Sequence, residues 1–377
     1  MTAITRREIR PFSRPQGNPT TEAGTGSEPA DIAAPTMESV IAGLSAPAKG
    51  ILAADESLPT IGKRFAALKI ASTAESRLAY RTILFTTPGL GEFISGVILF
   101  DETIGQRIGS ASAPGALARM AIIPGIKVDK GTAALPGFAG ERFTLGLDGL
   151  RERLAAYRDL GARFTKWRAV IAVGDHLPSP ACISANARSL ALFAALSQEA
   201  GLVPIVEPEV LMDGNHTIER CEEATGAVLK SVFADLHDHR VALEHMLLKT
   251  GMVLPGRDCP RQVGPAEVAL ATLRCLRLTV PPEVPGIVFL SGGQADVEAT
   301  ERLNAICRAG GPWKLSFSFG RALQDSAMKA WKGRLSNVKA AQAALGHRAR
   351  CNALAVQGRY SEAAESMVSG RNEGDPT

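Results

Sequence analysis

Residues 164–174 read FTKWRAVIAVG, an apolar run interrupted by two cations, Lys166 and Arg168, with Trp167 between them. Strands in a parallel sheet are buried on both faces and therefore read as nearly continuous apolar runs. Side chains alternate along a strand, so Lys166 and Arg168 share one face and Trp167 takes the other. The same texture returns on either side: GILAADES at 50–57, GVILFDET at 96–103, IIPGIKVDKG at 122–131, VPIVEPEV at 203–210, HMLLKTGMV at 245–253, IVFLSGG at 287–293 and KLSFSFGR at 314–321. With 164–174 that makes eight runs. Between them lie stretches of helical period, such as the stripe Leu147, Leu150, Leu154, Tyr157 and Leu160, and residues 184–200, 217–236, 265–278 and 295–308. Eight strand-helix repeats predict closure into a (β/α)8 barrel, an α/β fold with extra terminal helices, one of them over 337–356. The rival is an open doubly wound sheet. It calls for a G-x-G-x-x-G turn after the first strand, where Asp55-Glu56-Ser57-Leu58-Pro59 stands instead.

The chain has 377 residues, 45% hydrophobic and 21% charged, a composition of globular proteins that excludes collagen, coiled coil and wholesale disorder. No apolar run approaches the roughly 18 residues of a membrane span. A net charge of +4 without a polybasic run gives no reason to expect a nucleic-acid or membrane partner. Six cysteines at 182, 221, 259, 275, 307 and 351 form no C-x-x-C pair, which speaks against a disulfide framework or a structural zinc motif and for a reducing, cytoplasmic setting. The start carries Arg6, Arg7, Arg10 and Arg14 without the apolar core of a secretory signal, and Glu8 interrupts a transit-peptide pattern. Residues 1–36 hold five prolines and three glycines among few large apolar side chains, so they are expected to form a disordered extension. The barrel domain is expected over 37–360, and 361–377 as a flexible tail.

Charged residues at the ends of the apolar runs carry the functional reading. Burial of an isolated charge is costly, and any one such pair could be a solvent-facing ion pair at a strand end. Lys127 and Asp129, Lys166 and Arg168, and Glu207 and Glu209 repeat the pattern on successive runs, and Pro208 is expected to put the two glutamates at a strand's end. In a barrel the C-terminal strand ends meet at one mouth, which would gather Asp55, Lys127, Lys166, Arg168, Glu207, Glu209 and Lys249. Mixed carboxylates and amines in one cleft are how acid-base groups are set apart. Lys249 follows Met246-Leu247-Leu248. Apolar surroundings and cationic neighbours both favour the neutral amine that attacks a carbonyl. Anion sites are expected at Ser291-Gly292-Gly293 and at Gly320-Arg321, where backbone N–H groups and helix starts follow the last two strands. His237 and His239 form an H-x-H pair in a polar segment at the opposite end from the mouth, so a solvated loop is the reading preferred to a zinc site.

Taken together, KGILAADES at 49–57, GVILFDET at 96–103, GIKVDKG at 125–131, KWR at 166–168, VPIVEPE at 203–209, LLK at 247–249, LSGGQ at 290–294 and FSFGRALQ at 317–324 resemble, in order, the class I, Schiff-base-forming fructose-bisphosphate aldolases over roughly residues 37–360. The resemblance implies reversible cleavage of fructose 1,6-bisphosphate into dihydroxyacetone phosphate and glyceraldehyde 3-phosphate, without a cofactor or metal, in a homo-oligomer, tetrameric in the family. It implies Lys249 as the Schiff-base lysine, Glu207 as the acid/base of carbinolamine dehydration and Asp55 as the carboxylate that takes the 4-hydroxyl proton. Lys166 and Glu209 match its charged neighbours, and Lys127 the lysine on the third strand. The 1-phosphate would lie on Ser291, Gly292, Gly293, Ser318, Gly320 and Arg321, and the 6-phosphate near Ser57, Lys63, Arg64 and Arg168. The chain departs from the family at Thr250-Gly251 for Pro-Asn, at Thr60 for a serine, at Phe319 for a tyrosine, and in a tail with no tyrosine after Tyr360. Other Schiff-base barrels, such as a transaldolase or deoxyribose-phosphate aldolase, and a non-catalytic scaffold of the same fold are the competing readings. Two anion sites disfavour the former, and the presence of Lys249, Glu207 and Asp55 together disfavours the latter.

Overall fold

The computed structural model describes residues 35–366. Eight strands close into a parallel barrel: β1 (Gly50–Ala54), β2 (Ile94–Leu99), β3 (Ile123–Lys127), β4 (Phe164–Ile171), β5 (Val203–Val210), β6 (Leu247–Thr250), β7 (Gly286–Phe289) and β8 (Lys314–Phe319). Each strand neighbours the next in sequence, and β8 returns to pair with β1 through Ile51 opposite Ser318. The barrel is the predicted one, and the open sheet is excluded by this closure.

The alternation seen in β4 continues around the ring and divides it into two cores. One set of residues, among them Leu52, Val97, Ile126, Trp167, Val206, Leu248 and Phe289, packs outward against the surrounding helices. The other set, Ile51, Ala53, Ile98, Phe164, Val203, Ile205, Leu247 and Val288, fills the lower barrel interior. Helix Met37–Leu44, capped by the Thr36 hydroxyl, plugs that end with Val40, Ile41 and Leu44. Gly125 is required beneath the plug, because a Cβ there would lie 2.3 Å from the Phe164 ring.

Further up, the same inward positions turn charged: Phe164 gives way to Lys166 and Arg168, Val203 and Ile205 to Glu207 and Glu209, Leu247 to Lys249. Register fixes these heights, with Arg168 opposite Glu207 and Lys249 opposite Val288. Pro208 does not end its strand. It sits within β5 opposite Ala169, and the strand runs on to Val210.

Most helices match the helical-period stretches, including Leu150–Asp159, Pro180–Glu199, Ile218–Asp238, Pro265–Thr279, Asp296–Ala309 and Val338–Val356. Helices Leu58–Ala67 and Ala74–Phe85, and two small hairpins pairing Arg107–Ile108 with Ala111–Ser112 and Thr132–Ala134 with Arg142–Thr144, had no such forecast. The expected extension falls on residues 1–34, outside the described residues, apart from Pro35 and Thr36. The expected tail begins with an ordered turn: helix Glu362–Ser366 is tied back through Glu365, which pairs with Arg348. Residues 367–377 lie outside the described residues.

Candidate active site

A cavity of about 1370 Å3 opens at the C-terminal ends of the strands. Four inward side chains from β4, β5, β6 and the end of β1 meet on its floor. Lys249 Nζ lies 3.0 Å from Glu207 Oε1, Glu207 Oε2 lies 2.8 Å from Lys166 Nζ, and Lys166 donates a 3.0 Å hydrogen bond to Asp55 Oδ2. The result is a row in which two lysine side chains alternate with two carboxylates across the barrel, with only 4–12% of each side chain exposed. Glu207 thus bridges the two lysines, one carboxylate oxygen to each.

Electrostatics in the row follow from who faces whom. Burial would raise the Asp55 carboxyl, but Lys166, Lys249 and Lys127 outweigh it and hold the group below its ordinary value. Glu207 is held low in the same way, burial being overcome by Lys166, Lys249 and Arg168. Burial would lower the Lys166 ammonium, and Asp55, Glu207 and Asp129 together raise it instead. Lys166 is therefore a fixed cation that keeps both carboxylates ionised. Lys249 has the expected cation close by, Lys166 on the other oxygen of Glu207, and is itself paired with the Glu207 carboxylate between them.

The outer ring of sequence-predicted residues divides by partnership. Lys127 is bound to Asp129 Oδ1 at 2.5 Å and to the Asp129 carbonyl, and the Asp129 carboxylate also accepts from the backbone N–H groups of Gly131 and Arg168. Arg168 is clamped on Glu209. Arg64, expected at a phosphate, is paired with Glu56 and with Asp325, and Glu56 in turn binds the buried Arg81. Lys63 and Arg321 also line the cavity, and among the described residues neither is ion-paired. Ser57, at the start of helix Leu58–Ala67, shares a 3.0 Å hydrogen bond with Thr60 at the rim.

On the opposite wall, Ser291, Gly292, Ser318 and Gly320 line the cavity. Gly292 and Gly293 have φ of +39° and +91°, in the left-handed region that glycine adopts without strain. A Cβ on Gly293 would come 2.7 Å from an Arg257 Nη and 3.6 Å from an Arg321 Nη, so two guanidinium groups flank this turn. The Ser318 hydroxyl is buried with no hydrogen-bond partner among the described residues, a donor left for something entering the cavity. Arg257, Asp129 and the Glu56–Arg81 pair went unassigned in the sequence. Asp129 alone had a signal, its place two residues from Lys127. His239 closes helix Ile218–Asp238 against the Asp235 carbonyl, on the stretch that leads into the start of β6 and not at a strand's C-terminal end.

Comparison with known proteins converges on this geometry. The family model described as fructose-bisphosphate aldolase class-I matches residues 37–373. A protein of Xanthomonas campestris named "Probable fructose-bisphosphate aldolase class 1" is 53% identical over 319 residues, covering 84% of this chain and 95% of its own. Fructose-bisphosphate aldolase of Dictyostelium discoideum is 50% identical over 321 residues, covering 84% and 90%. A solved structure of fructose-bisphosphate aldolase from Plasmodium falciparum superposes with a TM-score of 0.85 at 46% identity, over 86% of this chain and 95% of that one. With fold, motif order and family model in agreement over nearly the whole described chain, this protein belongs to the class I fructose-bisphosphate aldolases.

Proposed function

We propose that the chain cleaves fructose 1,6-bisphosphate through a Schiff base on Lys249, with Glu207 and Asp55 as its proton carriers. The observation that carries this reading is the unbroken row Lys249, Glu207, Lys166, Asp55, with contacts of 3.0, 2.8 and 3.0 Å. Lys249 Nζ attacks the C2 carbonyl. Glu207, in contact with that nitrogen, removes its proton and returns one to the carbinolamine oxygen as water leaves. The protonated imine then draws electrons from C2. Asp55, kept ionised by Lys166, takes the 4-hydroxyl proton, the C3–C4 bond breaks, and the electron pair moves into the imine to give an enamine. Glyceraldehyde 3-phosphate departs. Protonation at C3 and hydrolysis release dihydroxyacetone phosphate and free Lys249. Glu209 and Lys127 act on this row as neighbours, the first by holding Arg168 and the second by holding Asp129.

The 1-phosphate is assigned to Ser291, Gly292, Gly293, Ser318, Gly320 and Arg321, supported by the glycine turn, the unpartnered Ser318 hydroxyl and the unpaired Arg321. The 6-phosphate is assigned to the rim bearing Ser57, Lys63, Arg64 and Arg168. There Lys63 has no carboxylate partner among the described residues, and Arg64 and Arg168 would share their present partners with the phosphate. A cytoplasmic setting is supported by six free cysteines and by relatives such as the cytosolic fructose-bisphosphate aldolase 4 of Arabidopsis thaliana. A homo-oligomer, as in the family, is supported by Leu270 and Leu278, 67% and 72% exposed on one helix. The barrel is assigned to 37–360, with the extension and tail outside it.

Borohydride reduction in the presence of dihydroxyacetone phosphate tests the central step. The triose mass is expected on the peptide bearing Lys249, with parallel loss of activity. Label on another lysine would sink the assignment.

A further inference from the structure

Outside the residues that line the cavity, the end of the chain assembles a second constellation. His347 and Cys351 stand four residues apart on helix Val338–Val356, so they share one face. The short helix Glu362–Ser366 brings Glu365 onto the same spot. His347 Nε2 lies 3.2 Å from Glu365 Oε2 and 3.7 Å from Cys351 Sγ, and the three donor atoms all fall within 4.8 Å of one another. Zinc binds nitrogen and oxygen at about 2.0 Å and sulfur at about 2.3 Å, so a tetrahedron places its N and O ligands about 3.3 Å apart and its N and S ligands about 3.5 Å apart. Two edges of such a tetrahedron are already present to within about 0.2 Å.

Surrounding contacts orient the carboxylate in the sense a metal requires. Glu365 Oε1 is occupied, accepting from Tyr360 Oη at 2.5 Å and from Arg348, while Oε2 is directed to His347. Arg348 is itself buried and donates to Thr300 Oγ1, so the carboxylate is held through a fixed partner. Cys351 is 1% exposed, whereas the side chains of His347 and Glu365 are 20% and 25% exposed, which leaves one open direction for a water. A plain ion pair between His347 and Glu365 is the competing explanation. It leaves the thiol on two weak hydrogen bonds of 3.7 Å, one shared with His347 Nε2 and one donated to the Ala364 carbonyl. Imidazole, thiolate and carboxylate together suit Zn2+ over the oxygen-seeking Mg2+ and Ca2+.

We propose that His347, Cys351 and Glu365 form a zinc site that fastens helix Glu362–Ser366 to helix Val338–Val356. Burial pushes the Cys351 thiol up to about 11, so on binding the metal replaces the thiol proton, which passes to solvent. Three metal-ligand bonds form, the waters of the aqueous ion leave until one remains in the open direction, and no electron is transferred.

Co2+ substitution in the full-length protein tests this. After chelation and dialysis, one equivalent of Co2+ is expected to produce a thiolate-to-cobalt charge-transfer band in the near ultraviolet and tetrahedral bands in the visible, both erased by an equivalent of Zn2+. Cys351→Ser should abolish the charge-transfer band, and His347→Ala should weaken Zn2+ binding at least about tenfold. Both variants should retain borohydride trapping at Lys249, which shows that they are folded. Should Cys351→Ser fail to fold, Glu365→Gln serves in its place, with Zn2+ binding expected to weaken by a similar factor. The proposal is overturned if the wild type gives no charge-transfer band, if the band persists in Cys351→Ser, or if His347→Ala and Glu365→Gln bind Zn2+ as the wild type does.

Discussion

Arg321 faces the Ser291–Gly293 turn and Lys63 lines the cavity at the Ser57 rim, and among the described residues neither has a carboxylate partner, so each is available to one phosphate. Arg321→Ala is expected to lower kcat/KM about ten- to a hundredfold for both fructose 1,6-bisphosphate and fructose 1-phosphate, the scale of a charge-assisted hydrogen bond. Lys63→Ala should impair the bisphosphate alone, because the monophosphate has nothing at that rim to lose. Equal losses on both sugars in both variants would reject the division. A pH prediction follows from Lys166. It is the principal charge opposing burial at Asp55 and Glu207, so in Lys166→Met both carboxyls titrate at higher pH and the acid limb of kcat moves upward. A limb that stays in place or moves down would refute the role given to Lys166. Lys249, Glu207 and Asp55 are legible in the sequence because each interrupts or ends an apolar strand, where a charge needs an explanation. Arg257 is not legible in this way. It lies in a loop with no period, and only the folded turn brings it beside Gly293.

At the scale of elements, the strand glycines and the Met37–Leu44 plug decide whether the barrel closes. Gly125→Ala pushes a methyl group to within 2.3 Å of the Phe164 ring, and overpacking of this kind destabilises by about 1–3 kcal/mol. Leu44→Ala empties the position beneath Gly96 and should remove about 2–5 kcal/mol. Thermal unfolding followed by circular dichroism checks both, and unchanged midpoints would show the lower core to be more forgiving than its packing implies. All eight strands could be read in the sequence, since burial on both faces leaves a dense apolar signature. Helix Leu58–Ala67 could not, because only Ile61 and Phe65 of its ten residues are buried, too few to show a period. Pro208 misled for a related reason: the rule that proline ends a ladder is local, and the register with β4 carries β5 past it.

For the molecule as a whole, the buried carboxylates set the response to acid. Asp55, Glu56 and Glu207 titrate below their ordinary values in the folded chain, so the stability they add is complete above the unfolded carboxylate range and is lost as pH falls through the lowered values. Acid unfolding is expected to set in only below about pH 4, and Asp55→Asn should flatten the stability profile there. A profile identical to the wild type would place the acid sensitivity elsewhere. Removing Met367 to Thr377, which contains no tyrosine, is expected to change kcat less than about threefold, under 1 kcal/mol in barrier. A tenfold fall in kcat would mean that the tail supplies a group to the chemistry. Finally, the reacting row rises from the strands, whereas the turn at 291–293 and the rim around Lys63 belong to the segments that follow them. The two layers can therefore be redesigned separately: exchanging the connecting segments would retrain the enzyme toward other aldehydes and ketones while leaving the bond-breaking apparatus in its frame.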